Sequence, residues 1–301
     1  MQMPPVVTGV TRFITLRIIG RVTERLPFVT QLRQAWRDQN SLLCVGLDPD
    51  PGRFPERFPA RAVFEFCRDI VDATAEFVCA FKPQAAHFAA LGQEHELARL
   101  IAHIHAQHPA IPVILDAKRG DIGATARLYA IEAFERYRAD AVTVSPYPGT
   151  DSIEPYLEFS DRGVVILCRT SNTGSAWLQD YPADDPTYLR VARAAVEWNV
   201  NGNVMLVAGA TYPDDLANIR QIVGDMPLLV PGVGAQGGDL ARVLYEGCDG
   251  QGQGLVINAS RSVLYAGGGD DFACAAAAAA RKLRDEIREF QLHTESARAI
   301  L

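Results

Sequence analysis

The residues of this sequence most able to do chemistry are charged side chains set inside apolar runs. The run Pro112–Lys118 carries Asp116 and Lys118, and Asp121 follows three residues later. Lys82 lies in the run Phe77–Gln84, and Asp48 closes the run Ser41–Asp48. Burying an unpaired ammonium is costly, so Lys82 on an apolar strand calls for a carboxylate partner. Residues two apart on a strand share a face, which puts Asp116 and Lys118 side by side. Such a charge cluster in a cleft is a candidate catalytic site, with a purely structural ion-pair network as the alternative.

A second group of residues suits an anion. Leu228–Gly238 is rich in glycine and includes Gly234 and Gln236, and Leu255–Arg261 ends in Ser260 and Arg261. Glycines expose backbone N–H groups, a following helix adds its positive end, and arginine grips phosphate oxygens two at a time.

The elements that position these residues are short apolar runs. Eight recur: 41–48, 77–84, 112–118, 141–147, 163–170, 203–210, 227–234 and 254–260. Near-continuous hydrophobicity marks parallel strands covered on both faces. Helical patterns separate them, for example over 59–76, over 150–158 and in the alanine-rich stretch 272–283. Eight strands alternating with helices predict an α/β fold, the (β/α)8 TIM barrel. An open doubly wound sheet would carry a glycine-rich turn after its first strand, and Val45-Gly-Leu-Asp48 is not one. In a barrel the charged strand ends and the loops after strands seven and eight share one face, where active sites and phosphate sites lie. A helix bearing Phe28, Leu32 and Trp36 on one side is placed to close the opposite end.

Composition narrows the function classes. The formal charge of −7 over 301 residues argues against nucleic acid and against a basic membrane anchor. No run approaches the ~18 apolar residues of a membrane span. The six cysteines show neither a disulfide framework nor zinc-site spacing, and Cys44, Cys79 and Cys168 sit in apolar runs, so a reducing cytoplasm is expected. His103, His105 and His108 have no metal-site spacing and no evident carboxylate partner, and they read as a solvated face. Residues 1–25 read as an extension of unknown role, and 26–301 as a single barrel domain.

Asp116-Ala-Lys-Arg-Gly-Asp-Ile-Gly-Ala-Thr-Ala126 resembles the signature of the orotidine 5′-phosphate decarboxylase family, in its longer bacterial subgroup. Five further segments carry the resemblance in order: Leu42–Asp50, Phe81-Lys-Pro83, Cys168–Asn172, Pro231–Gln236 and Asn258–Arg261. Thr173, Ser145 and Ser262 depart from the subgroup's usual proline, asparagine and glycine. None of the three is a catalytic position.

The resemblance implies conversion of orotidine 5′-phosphate to UMP and CO2, the last step of de novo UMP synthesis, with no cofactor and no metal. Lys82, Asp116, Lys118 and Asp121 would form the catalytic array. Asp121 and Thr125 would reach across a homodimer into the partner's site. Asp48 would accept from the ribose, Ser171 would contact the pyrimidine, and Gln236 and Arg261 would hold the phosphate beside Gly234 and Ser260. Related barrels that share the Asp-x-Lys-x-x-Asp segment, a Mg2+-dependent keto-gulonate-phosphate decarboxylase or a hexulose-phosphate synthase, place an acid on strand two where this chain has Lys82. A non-catalytic nucleotide-binding barrel would be expected to have lost one of the four charges.

Overall fold

The structure, a computed structural model, describes residues 25–59, 61–233 and 238–298, with side chains to residue 292. The eight apolar runs form eight strands: β1 Leu43–Leu47, β2 Ala80–Pro83, β3 Ile114–Arg119, β4 Ala141–Val144, β5 Gly163–Arg169, β6 Val204–Ala208, β7 Leu228–Pro231 and β8 Leu255–Ala259. All pair in parallel, in the order β2-β1-β8-β7-β6-β5-β4-β3. Parallel bridges Phe81–Val113 and Gln84–Asp116 join the two outer strands, so the sheet nearly closes on itself. With helices covering the outside, this is a TIM barrel.

Burial explains why the strands lack alternation. Every residue of β1, β2, β4 and β6 is buried, because one face fills the barrel and the other meets helices. The predicted helix at 59–76 runs Val63–Thr74, and that at 272 extends to Arg298. The region 150–158 departs from expectation: it splits into two short turns, Thr150–Ser152 and Glu154–Leu157.

The N-terminal end of the barrel is sealed by the helix Phe28–Asp38. Its Phe28, Leu32 and Trp36 are buried, and Phe28 lies so close to Gly163 that a Cβ there would stand 2.2 Å from the ring. Below it, the fully buried Asp140 takes Arg25 Nε at 2.7 Å, Gln31 Nε2 at 3.2 Å and the Val113 amide at 2.8 Å. The other end is left open for chemistry. No helix among the described residues is long and apolar enough to cross a membrane.

Candidate active site

A cavity of about 530 Å3 opens at the C-terminal ends of the strands. Its lining includes Asp48 after β1, Lys82 on β2, Asp116 and Lys118 on β3, Thr143 on β4 and Asn258 on β8. Lys82 Nζ donates to Asp116 Oδ2 at 2.8 Å, and Lys118 Nζ to Asp116 Oδ1 at 2.5 Å. Lys82 and Asp116 are buried, whereas the Lys118 side chain is 47% exposed toward the cavity mouth. One carboxylate therefore stands between two ammonium groups, one locked and one reachable.

Burial opposes ionisation of Asp116, but Lys82 and Lys118 outweigh it and hold the carboxyl at about 2. Burial likewise works against the Lys82 charge, and Asp116 followed by Asp48 overcomes it, raising its pKa above the ordinary lysine value. Both groups are thus charged at neutral pH.

Asp116 and Lys118 meet as expected, but not by regular alternation. The β3 register shifts between Leu115 and Arg119, and Lys118 takes φ +46°, a left-handed backbone that costs a non-glycine residue energy. Thr143 holds this bulge. Its buried hydroxyl accepts from the Ala117 and Lys118 amides at 3.0 and 2.9 Å and donates to Asp116 Oδ1 at 3.0 Å. One side chain thereby fixes both the strained backbone under Lys118 and the carboxylate beside it. The only signal for it in the sequence is a hydroxyl in the middle of an apolar run.

Asp48 and Ser171 also line the cavity. Asp48 Oδ1 is buried with no hydrogen-bond partner, as are Asn258 Oδ1 and Ser260 Oγ at the neighbouring strand end. Buried oxygens without partners at a cavity mouth suit hydroxyl or amide donors from a ligand. Ser260 fits only because residue 46 is glycine, where a Cβ would stand 2.0 Å from its Oγ. Gly209 likewise lets the Ser171 backbone approach, and Thr211 Oγ1 donates to Ser171 O at 3.0 Å.

Arg169, in the segment Cys168–Asn172, anchors the loop that carries Ser171. It is 2% exposed, pairs with Asp215 at 2.7 Å and Asp180 at 3.0 Å, and donates to Ser175 Oγ at 2.9 Å. Asp180 lies 11 residues on and Asp215 46, each on a different element, so spacing alone could not reveal the role.

Other expected site residues are placed differently. Asp121 and Thr125 are exposed and lie outside the lining of their own chain's cavity; the Asp121 carboxylate accepts from the Ile122 amide at 2.8 Å. Arg261 is exposed at the start of the short helix Arg261–Leu264 after β8, beyond the described cavity wall. Gly234 and Gln236 lie outside the described residues.

The three histidines correct the sequence reading. His103 and His108 both direct Nε2 at Asp72 Oδ1 at 2.8 Å, and His105 Nε2 lies 3.0 Å from Asp140 Oδ2. The helix Val63–Thr74 supplies Asp72 from across a packed interface, which is why no carboxylate was evident nearby in sequence.

Comparison with known proteins decides the family. Residues 41–277 match the model of the "Orotidine 5'-phosphate decarboxylase / HUMPS family". The chain belongs to this family. It is 58% identical over 268 residues to orotidine 5′-phosphate decarboxylase of Azoarcus sp. (strain BH72), covering 88% of this chain and 99% of that one. It is 59% identical over 265 residues to the enzyme of the same name from Aromatoleum aromaticum, covering 86% and 98%. Among solved structures, Leishmania donovani OMP decarboxylase superposes with a TM-score of 0.78 at 40% identity, over 89% of this chain and all of that one. The array on β2 and β3 and the cavity above it fall within the matched region.

Proposed function

We propose that this chain decarboxylates orotidine 5′-phosphate to UMP and CO2, the last step of de novo UMP synthesis, without cofactor or metal. The observation that carries this reading is the Lys82–Asp116–Lys118 array facing the cavity, with Lys82 and Asp116 buried and Lys118 reachable. In the step proposed, the bond from C6 to the carboxylate breaks, CO2 leaves, and the electron pair stays on C6. The Lys118 ammonium stabilises that carbanion and then transfers its proton to it. Two unit charges ~4 Å apart attract by about 4 kcal/mol at an effective dielectric near 20. The charges are already fixed by Thr143 and Lys82, so little reorganisation is needed when the carbanion forms. Asp48 accepts from the ribose, Ser171 meets the pyrimidine, and Gln236 and Arg261 hold the phosphate with Gly234 and Ser260 nearby. Phosphate binding, remote from C6, supplies energy to order the site.

The same reading makes the protein a homodimer with shared sites. Asp121 and Thr125 lie outside the lining of their own cavity, and Ile122 and Leu128 of the same segment are 50% and 66% exposed. Exposed apolar side chains in the same segment as two polar residues that lie outside their own chain's cavity fit an isologous interface. The partners are then the substrate and a second copy, not nucleic acid. Five of the six cysteines are buried, and all six are free thiols, which fits a reducing cytoplasm. Residues 26–301 form one catalytic domain in this reading. The Arg25–Asp140 ion pair, made by the last residue of the extension, supports a domain that begins at residue 26.

The test is an assay of protein stripped with EDTA against orotidine 5′-phosphate and against keto-gulonate 6-phosphate. Conversion of the first alone, unchanged by added Mg2+, is the expected outcome. A Mg2+ requirement, or turnover of the second, would replace this reading with that of the metal-dependent relatives.

A further inference from the structure

Outside the active site, two imidazoles and one carboxylate converge on a single point. His103 stands near the end of the helix Glu94–Gln107, and His108 is the residue at which the chain leaves it, with φ −129° and ψ 57°. That departure brings two histidines five positions apart to one place. Both Nε2 atoms lie 2.8 Å from the same oxygen of Asp72, on the neighbouring helix Val63–Thr74. All three donor atoms are within 4.8 Å of one another. The His103 ring is held edge-on to Phe64 with centroids 6.0 Å apart, and the two imidazoles stand at 71° to each other. The His103 and His108 side chains are 18% and 21% exposed, so their orientation is set by packing, while Asp72 opens to solvent at 44%. His108 and Asp72 also line a groove of about 430 Å3 that includes Glu76, one helical turn from Asp72.

We infer that Asp72, His103 and His108 form a binding site for one divalent transition-metal ion of the Zn2+ class, stapling two outer helices of the barrel. Two imidazoles and a carboxylate are the donor set such ions prefer. Tetrahedral bonds of about 2.0–2.1 Å separate ligand atoms by roughly 3.3 Å, so the present 2.8 Å contacts need to open by only about half an ångström. The groove leaves room for water, or for Glu76, as the fourth ligand. Each imidazole presents its Nε2 lone pair to the metal, and its remaining ring proton sits on Nδ1. Any proton carried by a doubly protonated imidazole is released to solvent, so affinity falls at low pH. The ion joins helices remote from the cavity, so it acts on stability and leaves decarboxylation unchanged.

The experiment uses the full chain, free of any affinity tag and treated with EDTA, titrated with Zn2+ by calorimetry, with Co2+ as a spectroscopic probe. The expected result is one equivalent bound, visible ligand-field bands for Co2+, and a Tm raised by several degrees in wild type. All three should be lost in His103→Ala/His108→Ala and weakened at least tenfold in Asp72→Asn. Retained turnover of orotidine 5′-phosphate by the double variant shows that it is folded. Absence of a one-to-one complex in wild type, or the same complex in the double variant, overturns the assignment. Neither outcome depends on which reaction the active site performs.

Discussion

Thr143→Val is the most informative single change, because it keeps the shape and removes only the hydroxyl. The structure gives that hydroxyl three hydrogen bonds in a buried position: two from the Ala117 and Lys118 amides and one to Asp116. A bond to a charged group contributes about 1.5–3 kcal/mol, and a buried amide left without an acceptor costs about 1–3. Water from the adjacent cavity can reach the bulge, so the lower ends apply, and one bond to the carboxylate with two amides comes to about 3.5 kcal/mol. At roughly 2–4 °C per kcal/mol for a domain of this size, Tm should fall by roughly 7–14 °C. The Lys118 backbone at φ +46° loses its support, and a shift of ~1 Å in a catalytic group can cost about 100-fold in rate. Turnover of orotidine 5′-phosphate should therefore drop about 10- to 100-fold in kcat with a smaller change in KM, and Thr143→Ser should restore most of both losses. A Thr143→Val protein with wild-type Tm and kcat would refute the claim that this hydroxyl holds the array.

Lys118→Ala should change stability by no more than about 1 kcal/mol, because its half-exposed ammonium leaves the Lys82–Asp116 pair intact, whereas Lys82→Ala should cost about 3–5 kcal/mol; denaturant unfolding separates them. Asp116 is depressed from 3.8 to about 2, so its charge stabilises the fold above about pH 4, by about 2 kcal/mol, and this is lost as pH falls through about 2. The stability gap between wild type and Asp116→Asn should accordingly narrow in acid, and a gap as wide at pH ~2 as at pH ~7 would contradict the assignment. Arg261→Ala should raise KM for orotidine 5′-phosphate about 10- to 100-fold, with less effect on phosphate-free orotidine; equal effects on both would make Arg261 structural. Inactive Lys118→Ala and Asp121→Ala proteins, unfolded and remixed, should regain about a quarter of wild-type activity if each site draws on two chains. No recovery despite subunit exchange, confirmed by mass-tagging, would place Asp121 in its own chain's site.

The barrel was legible because parallel strands buried on both faces leave unbroken apolar runs, and all eight were found within a few residues. The charges of the candidate site were legible for a related reason: Lys82 and Asp116 stand out where a core strand should carry none. What the sequence hid depends on partners distant along the chain. Regular alternation predicted the Asp116–Lys118 contact, yet a bulge held from β4 by Thr143 makes it. The histidines read as solvated because Asp72 and Asp140 reach them from other elements. Arg169 showed its anchoring role only once the fold brought Asp180 and Asp215 around it.

In the proposed reaction, the Lys118 ammonium beside Asp116 turns this cavity into a decarboxylase site. The direct measurement is formation of UMP and CO2 from orotidine 5′-phosphate by EDTA-treated wild type and Lys118→Ala, with UMP affinity measured on both. Equimolar UMP and CO2 from wild type, with turnover nearly abolished but UMP still bound by Lys118→Ala, is the predicted result. Undiminished turnover in Lys118→Ala, or no UMP from wild type, would contradict it.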